Sequence, residues 1–269
     1  MLKALSPVQA HRYGRDGFLS PVPALSRTAA DDARWRFGEL EQALGPRRRD
    51  IVWLTNLHLC FRSWYDVVMT PAVLDAVEDL LGPDVLVLSS IVFVKDPGQP
   101  SFVSWHQDGR GVQSSVDGRL RAVSAWIALA PSTTANGCLR VIPGSHLHGY
   151  LEHEYTHEPD NMLRRGVRVR GIVDEAQAVE LPLHPGQMSL HHLHTLHASH
   201  ANAGVEARVG LAVRYAHPEI MIAGTHAPAV LARGRDDYGH HDLLPSPPPD
   251  DPVGSMAAMT ASVRLWDVR

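Results

Sequence analysis

The chain is short of cysteine, of basic blocks and of long apolar runs, and each shortage removes a class of protein. Only Cys60 and Cys138 occur among 269 residues, too few for a disulfide scaffold and in keeping with a reducing compartment. No apolar run approaches the roughly 20 residues of a membrane span, and Met1 to Pro7 carries no apolar signal core. The expectation is a cytoplasmic protein without a membrane partner. The 25 basic and 29 acidic residues leave a formal charge of −4, and the longest basic block is Arg47-Arg48-Arg49, so nucleic acid is not an expected partner either. Internal repeats are absent. What the chain does have is 44% hydrophobic residues and 17 histidines. The first supplies a sizeable core; the placement of the second points to function.

Pattern divides the chain into a helical first third and a β-rich remainder. Ser6-Pro7 reads as a helix start, with proline in the first turn. Thr28 and Asp31 resemble a capping box, after which Ala33, Phe37, Leu40 and Leu44 share one helical face before Gly45-Pro46. Thr70-Pro71 begins a further helix that Gly82-Pro83 ends. From Asp84 the period changes. Val85 to Val94 is an apolar β-rich run closed by a turn from Lys95 to Gly98. Ala122 to Leu129 alternates, with Ser124 and Trp126 opposite Val123, Ala125, Ile127 and Leu129. Cys138 to Ile142, Met188 to Leu196 and Arg208 to Tyr215 complete the strands. Short strands without intervening helices predict a sandwich or jelly roll rather than βαβ units. The expected organisation is one domain over 1–269: a mainly helical layer over 1–83, a β core over 84–216 and a C-terminal extension over 217–269. Within it, Leu151 to Glu180 reads as a polar insertion or lid loop over one mouth of the barrel, and Pro245 to Pro252 as a stiff linker before a piece containing Met256, Met259 and Trp266.

The sharpest local signal is Ser104-Trp105-His106-Gln107-Asp108. Side chains two apart on a strand face the same way, so His106 and Asp108 can offer an imidazole and a carboxylate to one point. A second histidine would complete the two-histidine, one-carboxylate set of non-haem iron(II) oxygenases. His184, His191, His192, His194, His197 and His200 all compete for that place. His197 is favoured by its company: Ser199 lies two residues on, and Arg208 opens the next strand beside the small Gly210 and Ala212. A guanidinium inside a barrel needs an anion, and a carboxylate matches its fork. The plainer reading pairs Arg208 with Glu206 at the surface. His191 and His192 either orient a metal shell or fill the wall, and Arg110, Arg119 and Arg121 form a charged loop after the His-x-Asp pair. Asn136-Gly137-Cys138 and Pro143 to His146 read as two turns framing a short strand.

These segments together resemble the phytanoyl-CoA dioxygenase family. The resemblance rests on Ser104 to Asp108, Val123 to Trp126, Asn136 to His146, Gly186 to His192, Leu196 to Ser199 and Arg208 to Tyr215, with Tyr13 to Phe18 and Arg235 to His240 at the edges. It implies a mainly β fold with flanking helices, a double-stranded β-helix of the jelly-roll, cupin-like kind, binding iron(II) and 2-oxoglutarate and using molecular oxygen. His106, Asp108 and His197 match the metal triad. Arg208 and Ser199 match the pair that holds the distal carboxylate of 2-oxoglutarate, and Gln107 and Trp126 match positions lining that pocket. A halogenating branch of the family replaces the metal-binding carboxylate by a small residue; Asp108 is retained here, so the resemblance implies hydroxylation, or another oxidation such as desaturation or ring closure, of a small molecule in specialised metabolism. The rival from another class is a cupin-like protein that binds metal or ligand without oxygenase turnover.

Overall fold

The computed structural model describes residues 2–45, 53–114, 116–163, 166–224, 226–244 and 248. Two antiparallel sheets face each other as a jelly roll. The major sheet has eight strands, in the order Phe18–Pro23, Gln187–His192, Ala122–Ala128, Arg208–Ala216, Val85–Lys95, Pro228–Arg233 and Asp242–Leu243, with Trp53–Thr55 also paired to Val85–Lys95. Its last pair alone runs parallel. The minor sheet has four, in the order Val179–Leu181, Leu139–Val141, His197–Ser199 and Val103–His106. The sheets face one another without closing into a continuous barrel.

Period-two alternation gives the major sheet two different faces. Val209, Leu211, Val213 and Tyr215 point one way with Val123, Ala125, Ile127, Met188 and Leu190, into a core covered by Phe37, Leu40, Trp64, Val73, Leu74 and Val77 from the helices. The opposite face looks toward the minor sheet. Both faces are therefore covered, and every residue of Ala122–Ala128 is buried. No helix among the described residues is long and apolar enough to cross a membrane.

The expected helix starts are present, with one shift. Ser6 caps Pro7–Asp16 in a full capping box with Gln9. Thr70 precedes Pro71–Leu81. The second long helix, Arg27–Leu44, is capped by Ser26 rather than Thr28, its hydroxyl accepting from Ala29 N at 3.1 Å. Gly45 ends that helix; Pro46, the prolines beyond 244 other than Pro248, and Met256, Met259 and Trp266 lie outside the described residues.

Three expectations need correcting. The first third is not helical throughout: Phe18–Pro23 is an edge strand on Gln187–His192, a position where Pro21 and Pro23 are tolerated because one side of the strand has no ladder to break. Met188 to Leu196 is not one strand. The chain turns after His192, with Thr195 N donating to His192 O at 2.8 Å and Thr195 Oγ1 to Gly17 O at 2.8 Å, and re-enters the minor sheet at His197. The strands do not stop at Ala216: among the described residues, Pro228–Arg233 pairs with Val85–Lys95 and Ile220–Ile222 with Val112–Ser114. The lid loop contains a hairpin, His153–Tyr155 on Val167–Val169, tied to the minor sheet by Ser104 Oγ donating to Val167 O at 2.6 Å.

Buried polar contacts join helix and sheet, among them one at Tyr215. The helix Arg62–Val68 ends with its Val68 carbonyl accepting from Tyr215 Oη at 2.7 Å, and Tyr215 is fully buried. Tyr215→Phe leaves that carbonyl without this donor and should cost about 1–3 kcal/mol. Urea unfolding checks it: a lowered midpoint with unchanged metal binding is expected, and an unmoved midpoint contradicts the assignment.

Candidate metal centre and cosubstrate pocket

The register of the major sheet stacks the inner-face residues in rows. His191, Ser124, Arg214 and Ser89 form one row across four strands; Ser189, Trp126, Ala212 and Ile91 form the next; Ala128, Gly210 and Phe93 follow, and Arg208 stands opposite Lys95 beyond them. From the minor sheet, His106 and His197 are cross-strand partners. Asp108 follows His106 and reaches over to the first row. Between the sheets lies a cavity of about 380 Å³ lined by residues of both.

The metal triad assembles at one end. One ligand atom from each of His106, Asp108 and His197 lies within 4.8 Å of the others. His106 Nε2 is 3.8 Å from Asp108 Oδ1, and His197 Nε2 is 3.9 Å from Asp108 Oδ2. Each histidine has its other nitrogen committed: His106 Nδ1 faces the Ser104 and His197 carbonyls at 2.9 and 3.1 Å, and His197 Nδ1 faces Thr195 O at 3.0 Å. A carbonyl only accepts, so Nδ1 carries the proton in both rings and Nε2 keeps its lone pair for a metal. Burial holds both imidazoles below their usual pKa, opposed by Asp108. Burial pushes the Asp108 carboxyl up, yet Arg214, His191, His197 and His106 together outweigh it and hold it well below the usual carboxylate range. The set is two neutral imidazoles and an anion, which suits a divalent cation.

Three residues steady Asp108: Arg214 and Ser124, which the sequence did not single out for this, and His191, which it left between orienting a metal shell and filling the wall. Arg214 Nη2 donates to Oδ1. Ser124 Oγ donates to Oδ2 at 2.6 Å, and His191 Nε2 stands 3.7 Å from the same oxygen. The signal for Arg214 was present: it continues the alternation of Arg208, Gly210 and Ala212 by one step. His191 and Ser124 join it only through strand register, which sequence spacing does not show. His194 and His200 lie outside the triad, and His200 sits against Arg140 instead.

At the far end, Arg208 is 2% exposed. Its Nη1 donates to Gly137 O at 2.6 Å, its guanidinium carbon is 5.2 Å from the Trp126 ring centroid, and its buried Nε has no partner. It does not pair with Glu206. Ser199 is buried, lines the same cavity and accepts from Lys95 Nζ at 2.7 Å. Trp126 forms the wall, and Gly210 makes room for it: a Cβ there would lie 2.0 Å from the indole. Gln107 reaches the cavity, but its amide is engaged elsewhere. Its Nε2 donates to Gly149 O at 2.9 Å and His194 O at 2.6 Å, while Oε1 accepts from Leu151 N at 2.7 Å. Of the three loop arginines, only Arg110 lines the cavity, against Tyr155; Arg119 and Arg121 pair with Asp117, and Arg121 also with Glu219. The Asn136 turn is structural, its side chain bonding Thr133 N and Pro131 O, and it presents the Gly137 carbonyl to Arg208.

With this geometry in view, a family model described as phytanoyl-CoA dioxygenase (PhyH) matches residues 13–210. The chain belongs to that family. Among curated proteins, it is 33% identical over 148 residues to the 1-deoxypentalenic acid 11-beta-hydroxylase of Streptomyces arenae, covering 51% of this chain and 50% of that protein. It is 33% identical over 159 residues to the L-proline trans-4-hydroxylase of Streptomyces griseoviridis, covering 52% and 55%. The chain spans about half the length of the curated relatives it matches. A solved structure of the apo non-haem monooxygenase ThoJ is 33% identical, covers 95% of each chain and superposes with a TM-score of 0.80. A nickel complex of the same protein is 32% identical with a TM-score of 0.75.

Two outcomes test the site. His106→Ala or His197→Ala should abolish stoichiometric nickel(II) binding in a calorimetric titration, while His194→Ala and His200→Ala should retain it; loss in His194→Ala with retention in His197→Ala would reverse the ligand assignment. Gly210→Ala should push Trp126 into the cavity, with overpacking costing roughly 1–3 kcal/mol of stability. An unchanged melting temperature would contradict that contact.

Proposed function

We propose that this member of the phytanoyl-CoA dioxygenase family is an iron(II)- and 2-oxoglutarate-dependent oxygenase. The proposed reaction is hydroxylation of an aliphatic C–H bond of a small molecule in specialised metabolism. The observation that carries the reading is a buried arginine with an unpartnered Nε lining the same cavity as a two-histidine, one-carboxylate cluster. A metal site alone does not need a second buried cation; a cosubstrate with a chelating end and a distal carboxylate does.

In this reading His106, Asp108 and His197 hold the iron. Arg208 and Ser199 hold the distal carboxylate, Trp126 supplies the wall beneath it, and Gln107 braces the pocket by fixing the turn at Gly149 and Leu151. When bound, iron(II) and 2-oxoglutarate supply the means of reducing molecular oxygen, with succinate and carbon dioxide as co-products. The chain's own residues place the substrate and exclude water. Ile91, Phe93, Leu139, Met162 and Leu163 give the cavity an apolar wall, which suits an aliphatic substrate, as does the hydroxylase of 1-deoxypentalenic acid among its relatives. We read residues 1–269 as one oxygenase domain acting in the cytoplasm, without nucleic-acid or membrane partners.

The alternative is a cupin-like protein that binds metal without turnover. Anaerobic addition of 2-oxoglutarate to the iron(II)-loaded protein separates the two: the oxygenase gives a weak visible charge-transfer band, then succinate on admitting oxygen, whereas the binding protein gives neither. Arg208→Ala should raise the apparent KM for 2-oxoglutarate by about one to four decades, since truncating a buried charge pair costs roughly 2–5 kcal/mol at about 1.4 kcal/mol per decade. Iron affinity should stay constant, and Arg208→Lys should restore binding only in part, because an ammonium lacks the guanidinium fork. An unshifted saturation curve removes Arg208 from the site.

A further inference from the structure

Lys95 is the last residue of the Val85–Lys95 strand and stands directly opposite Arg208 in the sheet register. It is fully buried. Its Nζ donates to Ser199 Oγ at 2.7 Å, to Ser199 O at 3.2 Å and to His200 O. Three acceptors use all three protons of an ammonium. Because Ser199 Oγ accepts from Lys95, the hydroxyl's own proton is left to donate elsewhere, and Ser199 lines the cavity.

The charges around Lys95 point the same way. The groups that act on it are Arg208 and the Cys138 thiol, with no carboxylate among them; burial, then Arg208, push its pKa down to about 6. Burial also pushes Arg208 down to about 10. The three acceptors on Nζ suit an ammonium, which burial and Arg208 oppose while the cavity holds no anion; an incoming carboxylate removes that opposition, so the lysine carries its charge when the ligand is bound. The lysine does not itself line the cavity, so its effect passes through Ser199 and through its charge.

We propose that Lys95 is a positioning residue for the distal carboxylate of 2-oxoglutarate: it turns the Ser199 hydroxyl proton into the cavity and adds a second positive charge across the strand from Arg208. This rests on the 2-oxoglutarate reading above and extends it by a residue that does not touch the cosubstrate.

The test compares two ligands of nickel(II)-loaded protein by calorimetry. 2-Oxoglutarate and 2-oxopentanoate share the chelating keto-acid end and the chain length, but the second has a methyl group in place of the distal carboxylate. Wild-type protein should prefer 2-oxoglutarate on the order of a hundredfold. Lys95→Met should cut that preference by roughly tenfold or more, as the loss of a charge-assisted contact predicts, while leaving 2-oxopentanoate affinity unchanged. In a Ser199→Ala background the loss should shrink, because part of it runs through that hydroxyl. A preference unchanged in Lys95→Met overturns the assignment, and so does equal weakening of both ligands, which is what a merely structural lysine gives. If Lys95→Met does not fold, Lys95→Gln keeps a donor for Ser199 Oγ without the charge and is judged by the same two criteria. A wild-type protein with no preference would overturn the functional reading, and this inference with it.

Discussion

The contact between Asp108 and Arg214 is the constraint on which the rest of the site depends. Asp108 follows the end of a minor-sheet strand, and Arg214 projects from the middle of the major sheet. Their pairing bridges the two sheets at one end of the cavity. It also sets the charge state of the cluster. Burial alone would push the carboxyl toward neutrality, but Arg214 and the surrounding imidazoles keep it ionised. A protonated Asp108 between two neutral histidines would offer a cation little. The cost of burying the carboxylate is thus met by a fixed guanidinium, and a metal would join an arrangement already in place.

The cavity is lopsided in charge. Among the described residues Asp108 is its one acidic lining residue, against Arg110, Arg208 and Arg214, with Lys95 just behind the wall. Asp108 is shared with Arg214 and the histidines, which leaves the Arg208 end without an anion. Small residues between the two ends, Gly210 and Ala212, keep that stretch of the inner face open, and Trp126 packs onto the space that Gly210 leaves. A ligand that spans the cavity with a metal-binding group at one end and a carboxylate at the other satisfies both ends at once. The same strand, Arg208–Ala216, therefore supplies the far anchor, the floor and the brace for the metal carboxylate, each two residues from the next.

What the sequence made legible follows from how each feature is encoded. The His106 and Asp108 pair, the strand over Ala122 to Ala128 and the Arg208, Gly210, Ala212 face all depend on neighbours along the chain, and alternation reveals them. His197 stood out among several histidines because Ser199 and Arg208 lay near it, and its place opposite His106 agrees with that choice. Ser124 and Lys95 were not legible, and His191 could not be told from His192, since each joins the site through a cross-strand partner whose register is set by packing. The edge strand Phe18–Pro23 escaped notice for a related reason: its two prolines argue against a strand unless the partner lies on one side only, which is a fact of tertiary structure. The break after His192 was hidden because no glycine or proline marks it between Leu190 and Leu196; in the structure the Thr195 side chain reaches Gly17 at that turn.

Gln107 shows how the metal strand and the variable mouth are held to one another. It sits between the two metal ligands in sequence, yet all of its amide bonds go to other segments: Gly149, Leu151 and His194. Gly149 and Leu151 lead into the insertion whose hairpin contributes His153, Tyr155 and Val167 to the cavity wall. The base of the insertion is therefore fixed by a residue that cannot move without moving His106 and Asp108, while its far side carries side chains that line the cavity. A change at Tyr155 or Met162 alters the shape of the wall and leaves the amide clamp intact. A change at Gln107 disturbs both the mouth and the metal strand. The wall that the hairpin contributes and the strand that carries His106 and Asp108 are thus held in register by a single glutamine.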